Sequence, residues 1–155
     1  MQLTKFSDYA LRVLMYTQAA GDRLVTIEEM AGSYKVSRAH LMKVVNALTR
    51  AGYLKAVRGR TGGLRLAKAP EDIRLGDVIR TTEPDFALVE CFATGSQCVI
   101  QGSCRLPRIM KEALGDFIGA LNRYTLASVA LQPTDFLEPF ERRPRGAQKR
   151  EVVES

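Results

Sequence analysis

Two capped helices followed directly by a glycine-rich hairpin restrict this chain to a small set of folds. Thr26 and Glu29 have the spacing of the N-cap and N3 residues of a capping box, which predicts that a short helix begins after Thr26. After a tight turn, Ser37 is placed to cap a second helix that runs to about Ala51 and is ended by Gly52. This second helix carries an apolar stripe at i, i+3, i+4 and i+7: Leu41, Val44, Val45 and Leu48. Two such helices joined by a tight turn predict a helix-turn-helix.

Residues 53–68 predict a β-hairpin immediately after the second helix. Two β-prone runs flank the turn Gly59-Arg60-Thr61-Gly62-Gly63. The hairpin carries a set of cationic side chains: Lys55, Arg58, Arg60, Arg65 and Lys68. Its turn matches neither G-x-x-x-x-G-K-[ST] nor G-x-G-x-x-G, so no nucleotide loop is predicted. The predicted fold class is mainly α with a small β-wing, namely a winged helix-turn-helix followed by a long C-terminal helix.

Positive charge is concentrated in the same half of the chain. The whole chain has a net charge of +6, whereas residues 1–68 alone hold 12 Lys/Arg and 4 Asp/Glu, which is +8. Residues 69–132 are net negative at −2, and residues 133–155 are neutral. This distribution indicates a polyanion as the partner of the N-terminal half, with a merely solvated basic surface as the alternative.

Six side chains are candidates for contact with double-stranded DNA, three on the second helix and three in the hairpin. They are Arg38, His40 and Lys43, which fall off the apolar stripe, and Arg58, Arg60 and Arg65. The helix residues are predicted to lie near a DNA groove, and the hairpin residues to contact phosphates or the minor groove. A solvent-exposed hairpin without a partner is the alternative.

All the cysteines of the chain lie in one polar stretch, at Cys91, Cys98 and Cys104. Loop-forming Gly and Ser residues separate them in a C-x6-C-x5-C pattern, so that a flexible loop can turn three sulfurs toward one centre. Three clustered thiols indicate a metal or iron–sulfur site, and zinc bound by the same thiolates and a further ligand is a rival. Three buried structural cysteines, or one disulfide with a spare thiol, are the remaining alternatives.

An amphipathic helix is predicted over residues 4–20, with Thr4 or Ser7 as its N-cap. On this helix Asp8 and Arg12 lie four residues apart and can form an ion pair across one turn. Farther along the chain, Leu75 to Arg80 fits another short helix, which Pro84 must break.

The C-terminal part of the chain predicts a long helix and a tail. The helix is expected from Arg105 to about Leu131, with Pro107 tolerated in its first turn. Because so short a chain cannot easily cover this apolar helix, we expect a dimerisation arm, with a core helix of the monomer as the alternative. The proline- and charge-rich tail is expected to be largely disordered. The predicted organisation is a DNA-binding domain (1–83), a cysteine loop (84–104), a dimerisation helix (105–132) and a tail (133–155).

Several other classes of protein are disfavoured. The sequence holds no run of 18 apolar residues, so no transmembrane helix is predicted. Lys5, Asp8 and Arg12 interrupt the N-terminus, which does not look like a signal peptide, and we therefore expect a cytoplasmic location with reduced thiols. With one histidine and no H-E-x-x-H or G-x-S-x-G motif, no enzyme active site is predicted.

Three stretches resemble the Rrf-type winged-helix regulators that carry iron–sulfur clusters. They are the start M-Q-L-T-K-F-S-D-Y-A-L-R, the wing A-V-R-G-R-T-G-G-L-R-L and the C-x6-C-x5-C loop. The likeness covers residues 1 to about 131 and is specific, because order and spacing agree in three separate places. Within that family it is strongest to repressors that sense nitric oxide, with iron-responsive or cluster-status-responsive regulators as the near alternative.

The resemblance implies a homodimer that binds an inverted-repeat operator while each cysteine loop holds a cluster. Nitric oxide would then nitrosylate the cluster and release the DNA. Cys91, Cys98 and Cys104 would supply three thiolates to a [4Fe-4S] cluster, although a [2Fe-2S] cluster with the same residues is also open.

A cluster of four irons and three thiolates needs a further ligand, for which the family likeness selects Asp8 from the partner subunit. His40 is the one histidine, but it lies on the predicted recognition helix and is poorly placed for this role. Arg12 would then capture Asp8 once the cluster is lost, so that the two residues form a switch.

Overall fold

A computed structural model describes residues 2–84, 86, 88–92, 95, 97–100 and 102–136 of the 155-residue chain. Its helices and strands are α1 (Lys5–Ala19), α2 (Ile27–Tyr34), α3 (Arg38–Arg50), β1 (Leu54–Val57), β2 (Gly63–Leu66), α4 (Leu75–Thr82) and α5 (Leu106–Leu121). The mainly helical fold with one small antiparallel sheet confirms the predicted fold class.

The caps of the first three helices explain where each one begins and ends. The Thr4 hydroxyl accepts a hydrogen bond from the Ser7 N–H at 3.3 Å, so Thr4 rather than Ser7 is the N-cap of α1. At α2 the predicted capping box is present, with the Glu29 N–H donating to the Thr26 hydroxyl at 3.1 Å. Helix α3 ends where Gly52 adopts a positive φ of 76°. The left-handed residue after the helix lets the last carbonyls be satisfied without strain.

Residues 2–83 form the N-terminal part of the structure, here called the head. Helix α1 is central in the head, where it packs against α3, α4 and β2. Fully buried apolar side chains come from the helices of this head and from the segment before α4: Val13, Leu14, Met30, Leu41, Leu48, Ile73, Val78 and Ile79. Together with Leu126, which follows α5, most of them form one continuous core.

An isolated antiparallel bridge between Val25 and Leu64 attaches the wing to the segment before α2. Val25, just before α2, exchanges two backbone hydrogen bonds with Leu64 of β2, at 2.8 and 3.0 Å. A Cβ on Gly63 would lie 2.8 Å from the Val25 carbonyl oxygen, and one on Gly62 would meet the Val57 carbonyl oxygen. The glycines of the turn are thus required by close backbone approach, which lets β2 lie between β1 and Val25.

Helix α5 is shorter than the sequence predicted, because it ends at Leu121 and not near Leu131. The chain turns back there and pairs with the segment before α4. The Leu75 N–H donates to the Tyr124 carbonyl at 3.1 Å, and the Leu126 N–H donates to the Ile73 carbonyl at 2.8 Å. These contacts bury Leu126, and their hydrogen bonds use backbone groups that a longer α5 would need for its own helical hydrogen bonds. Tertiary hydrogen bonds therefore end α5 without a proline or glycine.

The prediction of a disordered tail was wrong for its first residues. Pro133–Asp135 forms a 3₁₀ turn, and the Phe136 ring packs edge-on against Tyr16 and Tyr34, with ring centroids 4.8 and 6.0 Å apart. The aromatic contact fixes this segment because it covers apolar surface between α1 and α2. The rest of the predicted tail, residues 137–155, lies outside the described residues.

The face of α5 that points away from α4 is open. Within this 16-residue helix, only Ile118 is buried, and added Cβ atoms on Gly115 and Gly119 would meet nothing within 4 Å. Ile109 is 56 % exposed on the same helix. No described helix is long and apolar enough to cross a membrane.

Candidate nucleic-acid interface and cysteine loop

Helix α3 presents one apolar face to the core and one polar face to solvent, as its spacing predicts. Leu41, Val44, Val45 and Leu48 are buried, whereas Arg38, His40 and Lys43 are exposed. The exposed face also carries an apolar side chain that the sequence reading left out, Met42. A helix with this outer face can enter a major groove, where an apolar group can contact a thymine methyl.

A shallow groove of about 270 Å³ lies between α3 and the start of α1. Its walls are lined by Lys5, Phe6, Tyr9, His40, Lys43 and Val44. His40 and Lys43 therefore form one rim of an apolar groove as well as part of the outer face of α3.

Arg38 forms an ion pair with Glu28 of α2. Its Nε lies 3.0 Å from Glu28 Oε2, and both side chains are well exposed. Exposed pairs of this kind contribute little to stability, so Arg38 can exchange Glu28 for a phosphate or a base edge at small cost.

The wing concentrates positive charge on two adjacent strands. Lys55 on β1 lies directly opposite Arg65 on β2, and both are exposed. Like charges directly opposite each other destabilise a hairpin, so this pairing carries a cost that a bound polyanion would remove. Arg58 and Arg60 are exposed at the tip of the same hairpin. The predicted DNA-contacting residues of α3 and of the wing are therefore accessible to one elongated ligand.

The cysteine loop joins α4 to α5. Cys91, Cys98 and Cys104 are all half-buried thiols, and the Cys104 N–H closes a turn by donating to the Ile100 carbonyl at 2.9 Å. The apolar tip beside Cys98 is solvated, with Val99 98 % exposed. In this conformation the described residues do not gather three His, Cys, Asp or Glu side chains around one point, so the ligand set stays a prediction.

The donor set of the loop fits an iron–sulfur cluster by its chemistry. Three thiols lie within 14 residues of one another between two helices, and none of them is part of the buried apolar core. Thiolates are the ligands that such clusters take, and Val99 beside Cys98 is not packed into the core. The same donors also suit zinc.

The predicted ion pair between Asp8 and Arg12 is present. Arg12 Nη2 lies 3.0 Å from Asp8 Oδ2, and the Arg12 Nε–H donates to Asp8 Oδ1 at 3.1 Å. The Tyr34 hydroxyl donates to the Arg12 backbone carbonyl at 2.8 Å, and burial raises the pKa of Tyr34, so it remains a donor. Both members of the ion pair are about half exposed, which leaves Asp8 accessible to another ligand.

The buried carboxylate of Glu29 joins α1 to α2. Glu29 accepts hydrogen bonds from the Tyr16 hydroxyl at 2.8 Å and from Arg23 at 2.6 Å. Burial alone would raise the pKa of Glu29, but the hydrogen bonds from Arg23 and Tyr16 outweigh it and hold the pKa below its ordinary value. The ionised carboxylate therefore fixes the orientation of α2, and hence of α3, against α1.

A second polar network, which sequence reasoning missed, joins the start of α1 to the end of α4. Glu83 Oε1 accepts from the Thr4 N–H at 2.8 Å and from the Thr4 hydroxyl at 3.1 Å. Beneath it, the Thr82 hydroxyl donates to the Ser7 hydroxyl at 2.8 Å in a buried position. These partners are separated by more than 70 residues, and neither helical spacing nor charge signals such a pairing.

A capped helix-turn-helix with an exposed basic face, followed by a basic β-wing, defines the winged-helix class of DNA-binding folds. Solved structures agree. CymR, the global cysteine regulator of B. subtilis, superposes with a TM-score of 0.67 at 23 % identity, covering 84 % of this chain and 96 % of that one. The IscR structure from T. potens gives 0.64 at 24 % identity, covering 83 % and 85 %.

The sequence relationship is closer and covers almost the whole chain. Residues 3–132 match the Rrf2 family, described as an iron-dependent transcriptional regulator, and the chain belongs to this family. Its relatives include proteins called HTH-type transcriptional regulator NsrR, from Bacillus licheniformis at 44 % identity and from Bacillus subtilis at 42 %. The matches cover 84 % of this chain and 93 % of the first relative, and 89 % and 96 % for the second. The chain is a transcriptional regulator and not an enzyme, as its sequence predicted.

Proposed function

We propose that the chain is a transcriptional repressor that binds its operator while it holds an iron–sulfur cluster and releases the operator when nitric oxide reacts with that cluster. The observation that carries the proposal is the position of the cysteine loop, which continues directly from a helix of the basic DNA-binding head. The relatives called NsrR, at 42–45 % identity, support the choice of subgroup. The cytoplasm, where thiols stay reduced, is the compartment that this chemistry needs.

The cluster would be held by Cys91, Cys98 and Cys104, with Asp8 of the partner subunit as a further ligand. When bound, the cluster supplies iron atoms to which nitric oxide can bind. We favour a [4Fe-4S] form, and a [2Fe-2S] form, which also takes four protein ligands, is the alternative. Asp8 suits this role because its carboxylate is half exposed on the outer face of α1.

Arg12 would act as the alternative partner of Asp8. The ion pair between Arg12 and Asp8, 3.0 Å apart, shows that Arg12 reaches the Asp8 carboxylate from the next turn of the same helix. An exposed ion pair contributes only about 0–1 kcal/mol, so a metal can displace Arg12 from Asp8 without a large penalty. Asp8→Ala should leave a cluster with an altered spectrum and weaker control of DNA binding, whereas an unchanged spectrum and response would place the further ligand elsewhere.

The DNA would be an inverted repeat read by a homodimer. We assign residues 1–83 to DNA binding, 84–104 to the cluster, 105–132 to dimerisation and 133–155 to a tail. Arg38, His40 and Lys43 would lie at the major groove, and Arg58, Arg60 and Arg65 at phosphates or the minor groove. A two-fold dimer separates its recognition helices by about 34–36 Å, which corresponds to one turn of DNA.

The deciding experiment is a titration of anaerobically purified protein with nitric oxide. Cluster absorbance and operator affinity are measured on the same samples, and we expect both to be lost together. A parallel titration with an iron chelator, without nitric oxide, tests the iron-responsive alternative. That alternative expects iron depletion to release the DNA and nitric oxide not to release it. Operator affinity that stays constant while the cluster absorbance disappears would contradict the proposal, and stoichiometric zinc without sulfide would favour the zinc alternative.

A further inference from the structure

One carboxylate connects the cysteine loop to the first turn of α1. Glu83 is the residue that follows α4, and its own N–H still donates to the Ile79 carbonyl at 2.9 Å. Its side chain reaches across to Thr4, where Oε1 accepts from both the backbone N–H and the hydroxyl. The first residue of the segment leading to the cysteines is therefore bonded to the N-cap of α1.

Thr4 in turn organises the first turn of α1. Its hydroxyl accepts from the Ser7 N–H at 3.3 Å, and its carbonyl accepts from the Asp8 N–H at 3.1 Å. The Glu83 carboxylate adds a negative charge at the positive end of the helix dipole, which strengthens the same cap. A displacement of Glu83 would remove two acceptor contacts from Thr4 and loosen the turn that carries Asp8.

The contact has a fixed base. Just inside it, the Thr82 and Ser7 hydroxyls are hydrogen-bonded at 2.8 Å, and both residues are buried. A buried hydrogen bond therefore holds the end of α4 to α1, whereas the contact between Glu83 and Thr4 is exposed to solvent. A junction with one buried side and one exposed side can act as a hinge.

We infer that Glu83 is a positioning residue that couples the conformation of the cysteine loop to the N-terminal turn of α1. The inference rests on the proposed function, because it assumes that the loop changes conformation with its cluster. A change in the path of the chain after α4 would move Glu83, and the Thr4 cap and the first turn that carries Asp8 would change with it. Glu83 acts in this way without binding the metal.

The test compares Glu83→Ala, the conservative Glu83→Gln and the control Glu71→Ala. Glu71 is an exposed acid of the same head, in the turn before α4, and its replacement changes the net charge equally. Operator affinity is measured for the cluster-loaded and the cluster-free form of each protein. The loaded samples of all variants are matched in iron and sulfide content. Amide hydrogen exchange of Ser7 and Asp8 is measured in the cluster-free proteins as a readout independent of loading.

In wild type and Glu71→Ala we expect cluster loading to change operator affinity by about 5–150-fold, the range of ordinary coupling between sites. In Glu83→Ala this ratio should fall toward one, with faster exchange at Ser7 and Asp8, and Glu83→Gln should recover part of the ratio because it keeps an acceptor oxygen. The small Glu83→Gln change keeps the test valid if Glu83→Ala folds poorly.

Two results in the variants would overturn the coupling role. A full wild-type ratio in Glu83→Ala and Glu83→Gln would leave Glu83 as a helix cap alone, and loss of iron from both variants would make it part of the cluster site. A ratio of one in the wild-type protein is a different failure, because it would overturn the proposed function itself.

Discussion

The DNA-binding head and the segment that follows it differ in how much of their apolar surface they bury. In the head, α1 packs against both α3 and α4, and Leu14 and Leu48 are 0 % exposed. Helix α5 buries only Ile118, and the tip of the cysteine loop leaves Val99 in solvent. The head is therefore well packed, whereas the second region exposes apolar surface within the part of the chain that the structure describes, as an interaction surface would.

The sharpest test of this difference is removal of single thiols. Each of Cys91→Ala, Cys98→Ala and Cys104→Ala should abolish the iron–sulfur absorbance and cluster-dependent operator binding, because a cluster loses one of few thiolates. The unfolding free energy of the cluster-free head should change by less than about 0.5 kcal/mol, as for other exposed or half-exposed sites. Absorbance with iron and sulfide analysis, and urea denaturation, measure the two effects. Full iron and sulfide in any one variant would refute the assignment.

Core and arm substitutions should have opposite consequences. Leu48→Ala removes a fully buried side chain of α3, and we expect it to lower the unfolding free energy by about 2–5 kcal/mol. Ile109→Ala removes an exposed side chain of α5 and should change that free energy by no more than about 0.5 kcal/mol. Ile109→Ala should instead weaken self-association in sedimentation experiments. If Ile109→Ala unfolds the head, or if the wild-type protein is monomeric at micromolar concentration, the distinction between the two regions fails.

The Glu29 carboxylate predicts a pH dependence that belongs to the head. Its pKa in the folded protein is lowered, so its contribution is present above the unfolded pKa of about 4.3 and is lost as the pH falls through the folded pKa. Glu29→Gln should cost about 1–3 kcal/mol at neutral pH, since it removes hydrogen bonds to a charged group. The gap between wild type and variant in urea denaturation should then shrink on acidification. A gap that is equal at pH 7 and below pH 4 would contradict this origin.

The smallest effect is expected at the wing. Arg60→Ala should reduce the slope of log operator affinity against log salt concentration by about one unit if Arg60 contacts a phosphate. Arg123→Ala, an exposed arginine beyond α5, is the matched control and should leave the slope unchanged. Equal slopes for wild type and Arg60→Ala would remove the wing tip from the DNA interface.

Local signals were sufficient for most of the head. Thr26 and Glu29 in a capping box, Gly52 after α3 and the stripe ending at Leu48 each act within a few residues, so sequence spacing predicts them. The pairing of Asp8 with Arg12 could be predicted for the same reason, because i and i+4 residues are neighbours on any helix.

What could not be predicted depends on contacts between distant segments. The end of α5 at Leu121 is set by hydrogen bonds that Tyr124 and Leu126 make with residues some 50 positions earlier. Phe136 was assigned to a disordered tail because its neighbours are prolines and charges, yet its ring finds an aromatic surface on α1 and α2. The Glu83 contact with Thr4 likewise has no local signal. The residue types of the candidate cysteine site could be proposed from the sequence, but the positions of the thiols relative to one another could not. A loop lacks the regular spacing from which the geometry of a helix or strand is predicted.

The two backbone hydrogen bonds between Val25 and Leu64 attach the wing to the segment that leads into the helix-turn-helix. This attachment limits how far the hairpin can move relative to α2 and α3. The protein would therefore measure its DNA as well as read it. Inserting one base pair moves later contacts by about 3.4 Å along the helix axis, so an insertion between the groove and backbone contacts of a half-site should weaken binding. The length between groove and backbone contacts within a half-site would then be as strictly constrained as its bases.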